Sequence, residues 1–222
     1  MKTDTQRQAR SITQQILQEL AAGRKSQPLT IAVGVSNRHV HLSRKEMDML
    51  FGYGSSLTRM KALKQPGQFA AQETVTLRGP KGELQRVRVL GPLRNVTQVE
   101  ISVADGFVLG IGAPVRMSGE LQGSPGITLL GPHGEVAIPE GVIVAWRHLH
   151  ISPEEAARHG LTDGAEIAVE TQGPRAGVLR HVKVRVSAEA LAEIHLDQEE
   201  ANALGLGNGD RVQIKSNGPK VA

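Results

Sequence analysis

The chain has no cysteine. That excludes disulfides, thiolate metal ligands and thiol nucleophiles together. Any zinc must then be held by histidine and carboxylate, as catalytic zinc often is. Aromatic residues are scarce: one Trp, one Tyr and three Phe among 222 residues. The net charge is +4 and the pI is about 9.6. With dispersed basic residues and so few rings for base stacking, nucleic acid is not the expected partner. A mild positive balance suits an anionic small substrate instead. No run of 18 apolar residues is present, so no membrane span is expected. The first residues hold no continuous apolar stretch ahead of a small-residue cleavage site, so no secretory signal is expected. Walker A, strand–GxGxxG–helix and GxSxG sequences are also missing. A metal-assisted reaction without a covalent enzyme intermediate is the economical reading of what remains.

What the chain does have is a phrase written twice. Arg38-His39-Val40-His41-Leu42-Ser43 returns as Arg147-His148-Leu149-His150-Ile151-Ser152. On a β-strand the two histidines of each copy face one side, about 6–7 Å apart, and can converge on one ion. Glu193-Ile194-His195-Leu196-Asp197 is a partial third echo, with Glu193 in place of the first histidine. A lone His-x-His is also what a solvent-facing strand looks like. Two copies in one local context, plus the echo, favour metal binding, and imidazole ligands favour zinc. Five histidines exceed one catalytic site, so two sites are expected, one of them completed by a carboxylate. Glu100, mid-strand in Val99-Glu100-Ile101, is the candidate. Arg94, in the loop leading to that strand, is suited to bind phosphate bidentately. His133, His159 and His181 read as surface residues.

Glycine, proline and β-branched residues predict short strands and tight turns. Residues 4–22 read as an amphipathic helix, with Ile12, Ile16, Leu17 and Leu20 at helical spacing and Gly23 as its stop. Leu29–Val35 is a strand candidate. Ser43 and Glu46 match a capping box for a short helix to about Phe51. Residues 52–72 read as a long loop. Thr74–Arg78 and Leu84–Leu90 read as strands around the Gly79-Pro80-Lys81-Gly82 turn. Gln98–Val103 reads as a strand, Asp105-Gly106 as a turn and Phe107–Arg116 as strand interrupted by glycine. The design then restarts at Thr128–Leu130 with a second Gly-Pro-x-Gly turn, and Val142–Trp146 leads to the second His-x-His. Ser152-Pro153-Glu154-Glu155 and Asp197–Glu200 read as helix starts. The recurring module is mainly β and fits two small closed β-barrels capped by short α-helices, behind an N-terminal amphipathic helix.

Residues 35–43, Gly91-Pro92-Leu93-Arg94 with Gln98-Val99-Glu100, and residues 147–152 together resemble the PduL-type phosphate acyltransferases, the phosphotransacylases (phosphate propanoyltransferases) of bacterial microcompartments. The likeness runs from about residue 28 to the C-terminus. It implies interconversion of acyl-CoA plus phosphate with acyl phosphate plus CoA. It implies a homodimer and two zinc ions per chain. One ion takes His39, His41 and Glu100; the other takes His148, His150 and His195. It makes Arg94 the phosphate-binding arginine and puts Gln68, Phe107 and Ser118 at the coenzyme A pocket. It also implies an interleaved division: 28–37 with 146–222 in one barrel, 38–145 in the other, and 1–27 as helix and linker. Residues 4–22 resemble an encapsulation peptide that binds shell or cargo proteins, which implies a microcompartment lumen rather than free cytoplasm. Two other readings compete. A zinc-dependent thioester hydrolase would release thiol without phosphate, and a non-catalytic metal-binding scaffold would not turn over. If residues 1–27 only target the protein, deleting them is expected to leave acyl transfer unchanged and abolish co-purification with shells.

Overall fold

The computed structural model describes residues 29–215. The expected helix at 4–22 lies outside the described residues. The chain is mainly β, with short helices at strand ends. Six strands close a barrel in the order β1 (Thr30–Ser36), β14 (Glu193–Asp197), β11 (His148–Ile151), β13 (Val178–Val186), β12 (Glu166–Glu170) and β15 (Arg211–Lys215), which returns to β1. The first strand therefore joins strands from the last third of the chain. It pairs parallel with β14, Gly34 opposite His195. Buried Ile31, Val33, Leu149, Ile151, Val184, Ile194 and Val212 fill this barrel.

The second unit is a nine-stranded sheet. Its order is β7 (Val115–Arg116), β10 (Val142–Ala145), β6 (Gln98–Glu100), β2 (His39–His41), β5 (Glu83–Gly91), β4 (Phe69–Arg78), β8 (Ile127–Gly131) and β9 (Gly134–Ile138), with β3 (Arg59–Ala62) paired to β4. It does not close, which corrects the expectation of two closed barrels. Its edges are two-residue β7 and the β8–β9 hairpin, and these do not pair. Helix α1 (Arg44–Phe51) packs on the hairpin instead: His133 N–H donates to the Leu50 carbonyl at 3.0 Å. Val40, Leu42, Met47, Leu50, Leu77, Val89, Val99 and Leu129 form the core beneath it.

Three local expectations change. Residues 52–72 hold β3 and the start of β4; β3 is exposed at all four positions, so it carries no alternation to read. Val103–Leu109 is helix α2, not turn and strand. Ser102 Oγ accepts from Asp105 N–H and Asp105 accepts from Ser102 N–H, both at 3.1 Å, a capping box with Asp in the place usually held by Glu or Gln. Gly106 lies within this helix, where a Cβ would come 2.6 Å from the Ile111 carbonyl oxygen. Around α1 the expected box does not form: the Ser43 hydroxyl donates to Glu46, which also accepts from Thr97 Oγ1 at 2.8 Å. Helix starts at Ser152 and Asp197 stand as read, for α3 (Pro153–Arg158) and α4 (Gln198–Leu204).

The seating of α1 gives a test. A Cβ on Gly131 would lie 2.4 Å from the Leu50 carbonyl oxygen. Backbone cannot yield as a flexible side chain can, so Gly131→Ala is expected to cost about 1–3 kcal/mol, read from urea denaturation.

Candidate metal centres and the surrounding site

The chain crosses from barrel to sheet at Asn37-Arg38 and back at Trp146-Arg147. Each His-x-His strand starts right after a crossing, so both lie at the junction of the two units. Each pairs antiparallel with the strand that supplies a third donor. In β2 and β6, His39 faces Glu100; in β11 and β14, His148 faces His195. Directly opposed residues stand within about 5.5 Å at Cβ, so a two-strand ladder suffices to gather three donors. His39, His41 and Glu100 form one group and His148, His150 and His195 the other; within each, the ligand atoms lie within 4.8 Å of one another.

The first histidine of each copy is anchored alike. His39 Nδ1 lies 2.8 Å from the Asn37 carbonyl and His148 Nδ1 2.7 Å from the Trp146 carbonyl. A carbonyl only accepts, so each Nδ1 carries a proton, and in the neutral ring Nε2 keeps its lone pair. His148 Nε2 and His150 Nε2 are 3.1 Å apart. Burial first, then the neighbouring histidines and Arg185, hold His148 down at about 4 and His150 at about 3. Burial first, then His39 and Arg94, hold His41 at about 3. These three rings are neutral near pH 7. The exception is His39. Burial alone would lower its pKa, but the charge and hydrogen bond of Glu100 and the Asn37 carbonyl outweigh it and raise the value. Glu100 is itself held ionised: burial opposes this, and His39 overcomes it. His41 Nδ1 is buried without a hydrogen bond of good geometry, although the Leu90 carbonyl beside it raises its pKa. Neutral rings aimed at one another, beside an ionised buried carboxylate, fit a divalent cation: it would replace repulsion between lone pairs with coordination.

The two groups sense each other. Glu100 raises the His148 pKa, and His148 lowers that of Glu100. A cavity of about 670 Å³ is lined by both His39 and His195, with Gln68, Lys61, Lys64 and Arg88 among its walls. A second cavity, of about 590 Å³, is lined by His150, Arg185, Gln65 and Gln68. Gln68 thus stands at both. Arg94 is fixed just beyond His41: its N–H donates to the Leu42 carbonyl at 2.9 Å, and Nη1 donates to Ser118 Oγ at 3.0 Å. Burial lowers the Arg94 pKa, and so does Arg185. Phe107 is 78% exposed on α2, beside a small separate cavity that includes none of the histidines. His133, His159 and His181 are exposed, as read. Arg185, opposite His150 across the β11–β13 ladder, was missed by sequence reasoning. Its only sequence signal is its place beside other basic residues on the alternating face of β13. Gln98 was missed too, although its position two residues before Glu100 puts both on one face.

A family model described as phosphate propanoyltransferase matches residues 32–207. Proteins named phosphate propanoyltransferase are similar over most of the chain. One from Rhodobacter capsulatus is 57% identical over 83% of this chain and 87% of its own. One from Rhodopseudomonas palustris is 61% identical over 75% and 73%, and one from Thermotoga maritima 51% identical over 73% and 78%. These matches make the protein an acyltransferase. The chain belongs to the phosphate propanoyltransferase family. Among the described residues no helix is long and apolar enough to cross a membrane.

His148→Ala is expected to remove metal from the three-histidine group, and His39→Ala from the other. Either substitution should bring turnover near background. Metal content by elemental analysis, measured beside activity, checks both; full metal retention in either variant contradicts the grouping.

Proposed function

We propose that the chain is a phosphotransacylase that interconverts acetyl- or propanoyl-CoA plus phosphate with the acyl phosphate plus CoA. The carrying observation is the pair of three-donor groups that share one cavity, in a chain of this family. His39, His41 and Glu100 would hold one zinc and His148, His150 and His195 another. Zinc so held supplies Lewis acidity, toward the thioester sulfur at the first group and toward phosphate at the second.

The chain's own residues supply the rest. The Arg94 guanidinium offers a planar pair of donors to phosphate and offsets its charge. Its half-buried setting makes that attraction stronger than it would be in water. Arg185, which has no carboxylate partner among the described salt bridges, adds positive field on the same side. Phosphate so placed presents an oxygen to the thioester carbon. Its attack gives a tetrahedral intermediate, and collapse breaks the C–S bond and releases CoA thiolate. Placement and fixed charge lower the barrier, so no covalent enzyme intermediate is required.

Gln68, at both cavities, and Ser118, beside Arg94, suit the coenzyme A end of the site. Phe107 would join them only from an exposed surface, consistent with a homodimer in which it meets a second copy. The interleaved units, 28–37 with 146–222 and 38–145, follow the two crossings of the chain. Residues 4–22 would direct the enzyme to shell or cargo proteins and so to a microcompartment lumen.

Thiol release from propanoyl-CoA should depend on phosphate; release that ignores it would indicate a hydrolase. Arg94→Ala is expected to raise the phosphate KM or lower kcat at least tenfold, about 1.4 kcal/mol of lost stabilisation, with metal retained. Unchanged kinetics would remove Arg94 from the phosphate site.

A further inference from the structure

The two ligand groups follow one plan, and it extends beyond the ligands. Strand β6 runs into α2 and strand β14 into α4, each through a capping box. The acid that closes each box receives the arginine standing before the facing His-x-His. Arg38 Nη2 lies 2.7 Å from Asp105, and Arg147 Nε lies 2.9 Å from Glu200. By ladder register, Glu100 opposite His39 corresponds to His195 opposite His148, and Gln98 opposite His41 to Glu193 opposite His150. Gln98 is 1% exposed and Glu193 7%. Each bonds the third donor of its group: Gln98 Nε2 lies 2.6 Å from Glu100 Oε1, and Glu193 Oε2 lies 2.9 Å from His195 Nε2. The chemistry is exchanged between the copies. A carboxylate donor group meets an amide N–H, and an imidazole meets a carboxylate.

We propose that Gln98 and Glu193 are matched positioning residues, each fixing the third ligand of its own metal group, and that Gln98 also links the first group to Arg94 through Ser118. The proposal rests on the zinc reading above. Gln98 has no spare polar group. Its Oε1 accepts from Gly119 N–H at 2.8 Å, and Nε2 donates to both Glu100 and, at 2.8 Å, Ser118 Oγ. Turning the amide over would set its oxygen against the Glu100 carboxylate, so its orientation is fixed. With Glu100 Oε1 engaged, Oε2 is the oxygen on the His39 side, 3.4 Å from Nε2. Ser118 Oγ accepts from Gln98 and from Arg94, which uses both lone pairs and orients the guanidinium. On the other copy, Lys64 Nζ lies 3.3 Å from Glu193 Oε1. Strand β1, the parallel neighbour of β14, leaves room for the pair only because position 34 is glycine. A Cβ there would sit 2.9 Å from the Glu193 carboxyl carbon and 3.0 Å from His195 Cδ2.

Partners that orient ligands typically change metal affinity by about 10–100-fold when removed. The full chain can report each group separately: His148→Ala keeps only the first group intact, and His39→Ala only the second. Zinc affinity by competition with a chromophoric chelator then needs no turnover. Gln98→Leu is expected to weaken zinc by about 10–100-fold in the His148→Ala background and leave it unchanged in the His39→Ala background; Glu193→Gln should do the reverse. Gln98→Glu keeps the volume and the acceptor for Gly119 but puts a second carboxylate against Glu100. It should behave as Gln98→Leu and replaces it should the leucine variant not fold. Ser118→Ala should raise the phosphate KM several-fold with zinc affinity unchanged. Unchanged zinc affinity in the matched backgrounds, or equal loss in both, overturns the positioning roles. An unchanged phosphate KM in Ser118→Ala overturns the link to Arg94, and that arm decides should both Gln98 variants unfold. A parent chain that binds no zinc would instead defeat the zinc reading itself.

Discussion

Everything in the site depends on two short antiparallel ladders, β2 with β6 and β11 with β14. Each sets a His-x-His strand against a strand that carries one further donor, with His39 opposite Glu100 and His148 opposite His195. Register is the constraint. A slip of one residue in either ladder would turn its donors to the opposite face. The register is held from outside the ladders by the Arg38–Asp105 and Arg147–Glu200 ion pairs and by the capping boxes that end β6 and β14. Helix starts here serve as locks on strand pairing as well as ends of helices.

Burial then decides protonation. The rings of His41, His148 and His150 are kept neutral because charging them in the junction would cost solvation that Glu100, Glu193 and the nearby carbonyls only partly return. Glu100 stays ionised in the same surroundings because His39 foremost, then His41 and His148, offset its burial. The two groups are therefore electrostatically unequal before any ion binds: one carries a carboxylate within it, the other has a carboxylate, Glu193, behind it. Such a difference would suit the unequal tasks proposed for them, one beside a departing sulfur and one beside an incoming anion.

Much of this was legible in the chain. The doubled Arg-His-x-His phrase, the echo at His195 and the apolar-flanked Glu100 are local patterns, and period two on a strand is enough to place each pair on one face. Mainly β architecture followed from turn residues and β-branched runs. Other features were hidden for physical reasons. Strand β3 has no buried face and so no alternation. Helix α2 carries in its first turn an Asp105-Gly106 that reads as a turn until Ser102 and Asp105 are seen to cap each other. The open sheet, with α1 lying over the β8–β9 hairpin, is a packing outcome that no short window carries.

The amino-acid sequence alone determined which donors exist: no thiolate, two histidine pairs, a fifth histidine and a carboxylate, with strand periodicity to aim them. Tertiary structure decided which donors meet. Glu100 is 61 residues from His39, and His195 is 47 from His148; only ladder pairing across the junction brings each to its partner. The same pairing gives Gln98 and Glu193 their places behind the third donors and sets Arg185 beside His150. The opening phrase of the chain's chemistry is local because a strand repeats every second residue. Its completion is non-local because a third ligand cannot come from the same short strand and still converge.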